Sequence, residues 1–148
     1  MHHEDPCAAP YESVNGKCYY FDASFLANVI DADQKCGTVS GRLLTVANEL
    51  ELLAIQEYFG IAGNVWVGGW MDGTSLVSTY ENCPLSYVNW TPGEMFSASF
   101  AAFILDGGAN NGKIMTADYG PTYYAICEPV AEIIPCKMTS SSKCYVTL

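Results

Sequence analysis

Val65-Trp66-Val67-Gly68-Gly69-Trp70 reads as a strand too apolar and too short to be anything but core. Working back from it, Gly60 and Gly63 end a helix that Asn48 starts, with Glu51 three residues on completing a capping box. That helix is expected to run through Phe59 and to bury a stripe of Leu50, Leu53, Glu57 and the pair Tyr58-Phe59. Before it, Leu43, Leu44 and Val46 form a short apolar strand. Further back, Ser24 is expected to cap a helix reaching about Cys36, with Phe25, Val29, Ala32 and Cys36 on one face and Gly37 and Gly41 closing it. The chain opens on a hairpin around the tight-turn dipeptide Asn15-Gly16, between Tyr11 and the strand Cys18-Tyr19-Tyr20-Phe21, so that Cys7 faces Cys18.

Working forward, residues 71–111 are rich in Gly, Ser, Asn and Pro with isolated aromatics, a composition of long loops held on a scaffold, where function concentrates. Ala101–Leu105 and Tyr123–Cys127 read as strands, with a turn region at Gly107–Gly112. After Glu128-Pro129 comes a tail of 20 residues or so carrying Cys136 and Cys144. No internal repeat or low-complexity stretch is present.

The 148 residues suit one domain, and with half of them hydrophobic they can bury about two-thirds of the unfolded surface. Seven cysteines without Cys-x-x-Cys pairs, and no His in the body, argue for disulfides in an oxidising compartment over a zinc site, so a secreted, extracellular protein is expected. A net charge of −10 repels phosphate backbones, and six scattered basic residues cannot displace their counterions. Nucleic acid and anionic membranes are therefore disfavoured partners. No apolar run is long enough for membrane insertion, and Met1–Pro6 lacks a signal-peptide core, as a processed or re-engineered N-terminus would.

The order hairpin, helix, helix, Trp-Val-Gly-Gly strand, long loop and closing Tyr-Ala-Ile-Cys-Glu resembles the C-type lectin-like domain. The similarity rests on Gly16-Lys17-Cys18-Tyr19, on Cys36 and on Gly41-Arg42-Leu43-Leu44. It continues through Val65-Trp66-Val67-Gly68-Gly69, which is similar to the family's WIGL motif, then Tyr87-Val88-Asn89-Trp90 and Ile126-Cys127-Glu128. The resemblance implies an α+β fold over residues 7–128, two helices flanking small antiparallel sheets with a long loop region at one end and the termini together. Residues 1–6 are then an extension and 129–148 a tail. It also implies bridges Cys7–Cys18, of the long-form hairpin, and Cys36–Cys127; the second closes a loop worth roughly 4–5 kcal/mol in the chain-entropy treatment.

Departures from the family pattern matter as much. The family's further cysteine pair, which pins the long loop, is replaced by Phe100 or Ala101 and by Tyr119. Phe100, Phe103, Tyr119 and Tyr123 are expected to form an aromatic core in its stead. Sugar-binding members hold calcium with Glu-Pro-Asn or Gln-Pro-Asp plus Trp-Asn-Asp, because the ion needs six to eight oxygens. The corresponding stretches are Glu94-Met95-Phe96 and Ile114-Met115-Thr116; only Glu94 survives, and Asp106 and Asp118 nearby do not complete a set. No metal or other cofactor is expected.

The remaining features divide between contact and packing. Met95 and Met115 stand where ligands would be and suit an adaptable contact patch, while Phe96 suits inward packing. Asn89-Trp90-Thr91 is a glycosylation sequon followed by Pro92 beside a Trp that the family buries, so it is expected to stay unmodified. His2 and His3, adjacent at a chain end, are expected to be disordered or a remnant rather than a metal site. Asp72-Gly73-Thr74-Ser75 has the wrong order for an acidic-protease loop and no second copy, which leaves a turn; without a body histidine to act as base, no enzyme is expected. Cys136 and Cys144 are near enough in sequence to bridge each other. Cys83 is expected at an exposed loop tip, either bonded to another chain, paired with a tail cysteine, or a free thiol.

These readings converge on a calcium-independent recognition module for a protein or glycan, presenting Glu94, Met95, Asn110, Asn111, Met115, Asp118 and Tyr119. The rivals are a structural or matrix protein that self-associates into oligomers or polymers through Cys83 and the apolar tail stretch Val130–Pro135, and a calcium-dependent lectin.

Overall fold

Strand β1 (Glu12–Val14) turns into β2 (Lys17–Ala27) through Asn15 and Gly16 alone. Their φ values of 51° and 86° give the left-handed pair that a tight hairpin demands. The computed structural model describes residues 7–79 and 82–130, and the backbone of 136–138 and 144–146. Residues 1–6, with His2 and His3, lie outside the described residues, as do 131–135 and the side chains of Cys136 and Cys144.

Helix α1 is Val29–Thr38, shorter at its start than the sequence suggested. Ser24 is not its cap: its amide and hydroxyl both donate to Asp22 Oδ1, at 3.0 and 2.6 Å, where the pairing of β2 shifts register between Phe21 and Leu26. The strand resumes to Ala27, and Asn28 caps the helix by accepting from the Asp31 amide at 2.8 Å. Val29, Ala32 and Cys36 face inward as expected, because their spacing of three and four holds them on one side.

Strand β3 (Gly41–Leu43) leads to α2 (Glu49–Phe59), capped by Asn48 and closed by Gly60. The predicted limits of α2 hold, but its buried stripe does not. Leu52 and Ile55 are buried, whereas Leu50 is 80% exposed and Tyr58 also faces solvent. Both stripes have helical spacing, and only docking against the sheet chose between them.

The central apolar stretch proves to be two strands. β4 (Gly63–Trp66) lies in the main sheet, while β5 (Gly69–Asp72) pairs with β6 (Ser75–Ser78) in a separate one. At the break, the Val67 amide donates to Ala101 and the Gly68 amide to Leu44. A Cβ at Gly68 would overlap the Leu43 carbonyl oxygen, so this crossing requires glycine. Strands β7 (Phe100–Leu105), β8 (Ile114–Ala117) and β9 (Tyr123–Pro129) complete a seven-stranded sheet of order β1-β2-β9-β4-β7-β8, with β3 also on β9. Pairing of β2 with β9 unites the two ends of the domain. β10 (Cys136–Met138) and β11 (Cys144–Val146) pair with each other, Cys136 opposite Val146 and Met138 opposite Cys144.

The period of two along the central strands divides the core in two. Val65 and Val67, Ala101, Phe103 and Leu105, and Ile126 pack with Leu52 and Ile55 of α2. Trp66, Ala102, Ala125 and Cys127 pack instead with Val29, Ala32 and Cys36 of α1. Trp66, fully buried, donates its indole N–H to the Ala27 carbonyl at 2.7 Å and lies 4.7 Å from the Tyr123 ring. On that face Cys36 and Cys127 are bonded, with Cα atoms 5.3 Å apart, and Cys7 is bonded to Cys18. Both pairings expected from the resemblance are therefore present.

Candidate recognition surface

The segment between β6 and β7 folds back on the scaffold at three places. Near its start, the Ser78 amide donates to Cys83 O at 2.7 Å and Leu85 to Leu76 O at 3.0 Å. This return brings Pro84 against Val77 and buries Cys83, which is 6% exposed. Cys83 is disulfide-bonded, so the expectations of an exposed tip and of a free thiol are both corrected; hairpin closure tucks the sulfur inward. In the middle, Asn89 and Thr91 exchange backbone hydrogen bonds with Ile114, which places Trp90 beside β8.

At the third place Glu94 fastens the loop. Its carboxylate accepts from the amides of Met95, Phe96 and Thr116 at 3.0, 3.1 and 2.9 Å, and from the Thr116 hydroxyl at 2.6 Å. Burial pushes the Glu94 pKa up, but these donors outweigh it and hold the group below its ordinary 4.5. The pinned turn leaves Phe96 half-buried against Trp90, edge to face at 5.0 Å, while Met95 projects outward with 81% of its surface exposed. The expected inward role of Phe96 and outward role of Met95 match these positions. Thr116 is the partner that sequence reasoning missed: the resemblance implied a strand at Ile114-Met115-Thr116, and only the packing of β8 beside the loop sets Thr116 against Glu94.

The other proposed surface residues separate. Asn110 and Asp118 are exposed and Met115 is half-buried. Tyr119 is 63% exposed, which overturns its expected part in an aromatic core. β8 ends at Ala117, so no strand directs Tyr119 inward, and the small Ala117 stands opposite Phe100. Phe103 is buried and Phe100 and Tyr123 are partly so, as expected. Asn111 is a scaffold residue: its amide exchanges two 2.9 Å hydrogen bonds with Gln56 of α2, and its oxygen also accepts from the Gly107 amide. Gln56 further donates to the carbonyls of Ile61 and Leu105. Half-buried amides that satisfy one another in this way fix a loop.

Of the surface residues expected from the sequence, Met95, Asn110, Asp118 and Tyr119 are thus exposed and Met115 is partly accessible. Among the described residues, no group of three or more His, Cys, Asp or Glu side chains is placed to hold a metal ion. No described helix is long and apolar enough to cross a membrane.

Solved structures share this fold. The chain superimposes on a calcium-independent type II antifreeze protein with a TM-score of 0.68 and 22% identity, over 86% of this chain and 96% of that one. The chain has the C-type lectin-like fold. The carbohydrate-recognition domain of mouse scavenger receptor C-type lectin gives a TM-score of 0.68 at 20% identity, over 87% of this chain and 100% of that one. The cow CD23 domain, solved with an oligosaccharide, gives 0.68 at 23%, over 87% and 99%. No protein-family model matches the sequence, and no curated protein is similar to it. The C-type lectin-like scaffold accounts for the helix, sheet and bridge positions; at these identities the ligand is a separate question.

Proposed function

We propose that this chain is a non-enzymatic extracellular recognition module that binds a protein or glycan without calcium, through the surface between Gly93 and Tyr119. The observation that carries this reading is the closure of Glu94. Both of its oxygens are engaged by donors of its own loop and of β8. A carboxylate engaged by four donors holds the loop directly, the service that a bound cation would otherwise perform, and is left with little accepting capacity for an ion that wants six to eight oxygens. Solved structures of this fold include a calcium-independent and a calcium-dependent type II antifreeze protein, so the residues of this loop have to decide. Two disulfides and a net charge of −10 fit an oxidising, extracellular setting and a ligand with basic or neutral character.

The test is calorimetric titration of calcium chloride into the protein, with amide NMR of Glu94–Phe96 and Thr116. No saturable heat and unmoved amides are expected; millimolar or tighter binding that shifts them returns the protein to the calcium-dependent class. A glycan array and an extracellular-protein array, each probed in calcium and in chelator, then identify the ligand class, and Met95→Asp and Tyr119→Ala should weaken any binding found. Binding that chelator abolishes, or that both substitutions leave unchanged, contradicts the proposal. The rival structural role through Cys83 has a buried sulfur against it. Light scattering of the full chain at micromolar concentration should report a monomer, and a polymer would favour the rival.

A further inference from the structure

A groove runs between the opening hairpin and α2, on residues that the surface proposed above does not use. On the hairpin, Glu12 stands opposite Tyr19 and Val14 opposite Lys17, so these four side chains share one face. Val14, Lys17 and Tyr19 form one wall of the groove, and Leu50, Ala54 and Ile55 of α2 form the other, around a space of about 170 Å³. An apolar cavity of roughly 150 Å³ holds a benzene ring, so this space takes one aromatic or leucine-sized side chain. Leu50, Ala54 and Tyr58 recur at every fourth residue, a stripe left wholly or partly open because docking on the sheet buried Leu52 and Ile55 instead.

The rim around this apolar floor is acidic. Lys17 is paired with Glu51, Nζ to Oε2 at 2.9 Å. Glu12 accepts from the neutral Tyr58 hydroxyl at 3.0 Å, and Glu57, three residues beyond Ala54, is exposed on the same side of the helix. Glu12, Glu51 and Glu57 thus outnumber the cation that lines the groove. A second copy of the chain would bring the same rim and the same net charge of −10, so like charges oppose self-pairing. A partner with an apolar side chain flanked by Lys or Arg meets both features, its side chain filling the groove and its cations facing the carboxylates.

We propose that this groove is a second interaction surface, which receives one aromatic or leucine-sized side chain of a partner protein, flanked there by basic residues. The anchor side chain supplies the affinity, and the acidic rim governs the rate of encounter and the choice of partner. The contact stands whether or not the surface between Gly93 and Tyr119 binds a ligand.

The experiment is amide NMR titration of the full chain with the end-capped peptide Lys-Lys-Phe-Lys-Lys, beside Lys-Lys-Ala-Lys-Lys and Glu-Glu-Phe-Glu-Glu. Shifts confined to the hairpin turn and the groove face of α2 are expected, and the acidic peptide should give no saturable shift. The phenylalanine peptide should bind about tenfold or more tighter than the alanine one, the difference that burying part of a ring makes. Equal affinity of the two basic peptides, saturable binding of the acidic one, or shifts centred on Met95 and Tyr119 would each overturn the proposal. Ala54→Leu fills the groove with another strong helix former, and it should weaken binding by about tenfold while the thermal melt is retained. Glu12→Gln/Glu57→Gln should weaken binding at low salt and flatten its salt dependence. Binding that neither variant alters contradicts the assignment. A dimer of the chain alone at millimolar concentration, abolished by Leu50→Asp, would give the groove to a second copy and overturn the basic partner.

Discussion

Arg42 and Glu128 form a largely buried ion pair, Nη2 to Oε2 at 2.9 Å, that ties β3 to the end of the last strand of the domain. The pair is completed on both sides. Glu128 Oε1 accepts from the Thr45 amide at 3.1 Å, and Arg42 also donates to the Thr45 hydroxyl at 3.1 Å. A buried pair of this kind contributes less by attraction than its disruption costs, because removing one partner leaves the other charge desolvated. Arg42→Ala and Glu128→Ala should therefore each cost about 3 kcal/mol, and a double change to Met and Leu should cost less than either. Urea unfolding of the three variants checks this; single variants within experimental error of the parent would refute it.

The Glu94 clasp should be sensitive to acid. Its folded pKa lies below the ordinary value, so the clasp stabilises the folded state fully above about pH 4.5 and loses that contribution as pH falls through the lower folded value. Glu94→Ala should abolish this dependence and speed hydrogen exchange at Met95, Phe96 and Thr116 at neutral pH, while the core exchanges as before. Equal protection of those amides in the variant would show that the clasp holds nothing.

Asp22 titrates lower still. The Ser24 hydroxyl and amide, followed by Lys35, hold its carboxylate at about 2 against an ordinary 3.8. Its contribution is present above 3.8 and disappears as pH falls through 2. Asp22→Asn should flatten the stability profile within that window, lowering stability at pH 5 and leaving it little changed at pH 2, as read by thermal melts at the two values. Direct NMR titration giving an ordinary carboxylate value would rule this out.

The two mapped bridges should differ in weight. Residues Cys36 and Cys127 are 91 apart, Cys7 and Cys18 only 11. By loop entropy their removal should cost roughly 4–5 and 3 kcal/mol respectively. Cys36→Ala/Cys127→Ala should thus fall near or below the folding margin of a domain this size, while Cys7→Ala/Cys18→Ala remains folded. Circular dichroism melts decide; the opposite ranking would mean that native strain or residual structure dominates.

The Asn48 cap, the Gly60 stop and the Asn15-Gly16 turn were legible because each is a local rule satisfied within a few residues. Their backbone donors and φ angles depend on neighbours in sequence. The start of α1 was not legible in the same way. Ser24 and Asn28 are both competent caps, and the pairing of Leu26 and Ala27 with Tyr124 and Tyr123 extended the strand past the first of them. Leu50 and Leu52 show the same limit: helical periodicity supplies a face for each, and the packing partner selects one.

For the proposed surface, the sequence could show that few oxygen-bearing side chains surround Glu94, because such residues are countable. It could not show that Thr116 closes the remaining carboxylate, that Asn111 turns inward to Gln56, or that Cys83 is buried. Such pairings join residues 22 to 55 positions apart, and their geometry is set by strands that cross between them. Composition, capping, turn chemistry and cysteine count determined single elements and the disulfide character from local and additive terms, and the order of motifs supplied the resemblance that implied the fold. Which side chains face solvent and which meet scaffold was decided by the tertiary structure, since burial is a property of the assembled sheet and not of any segment within it.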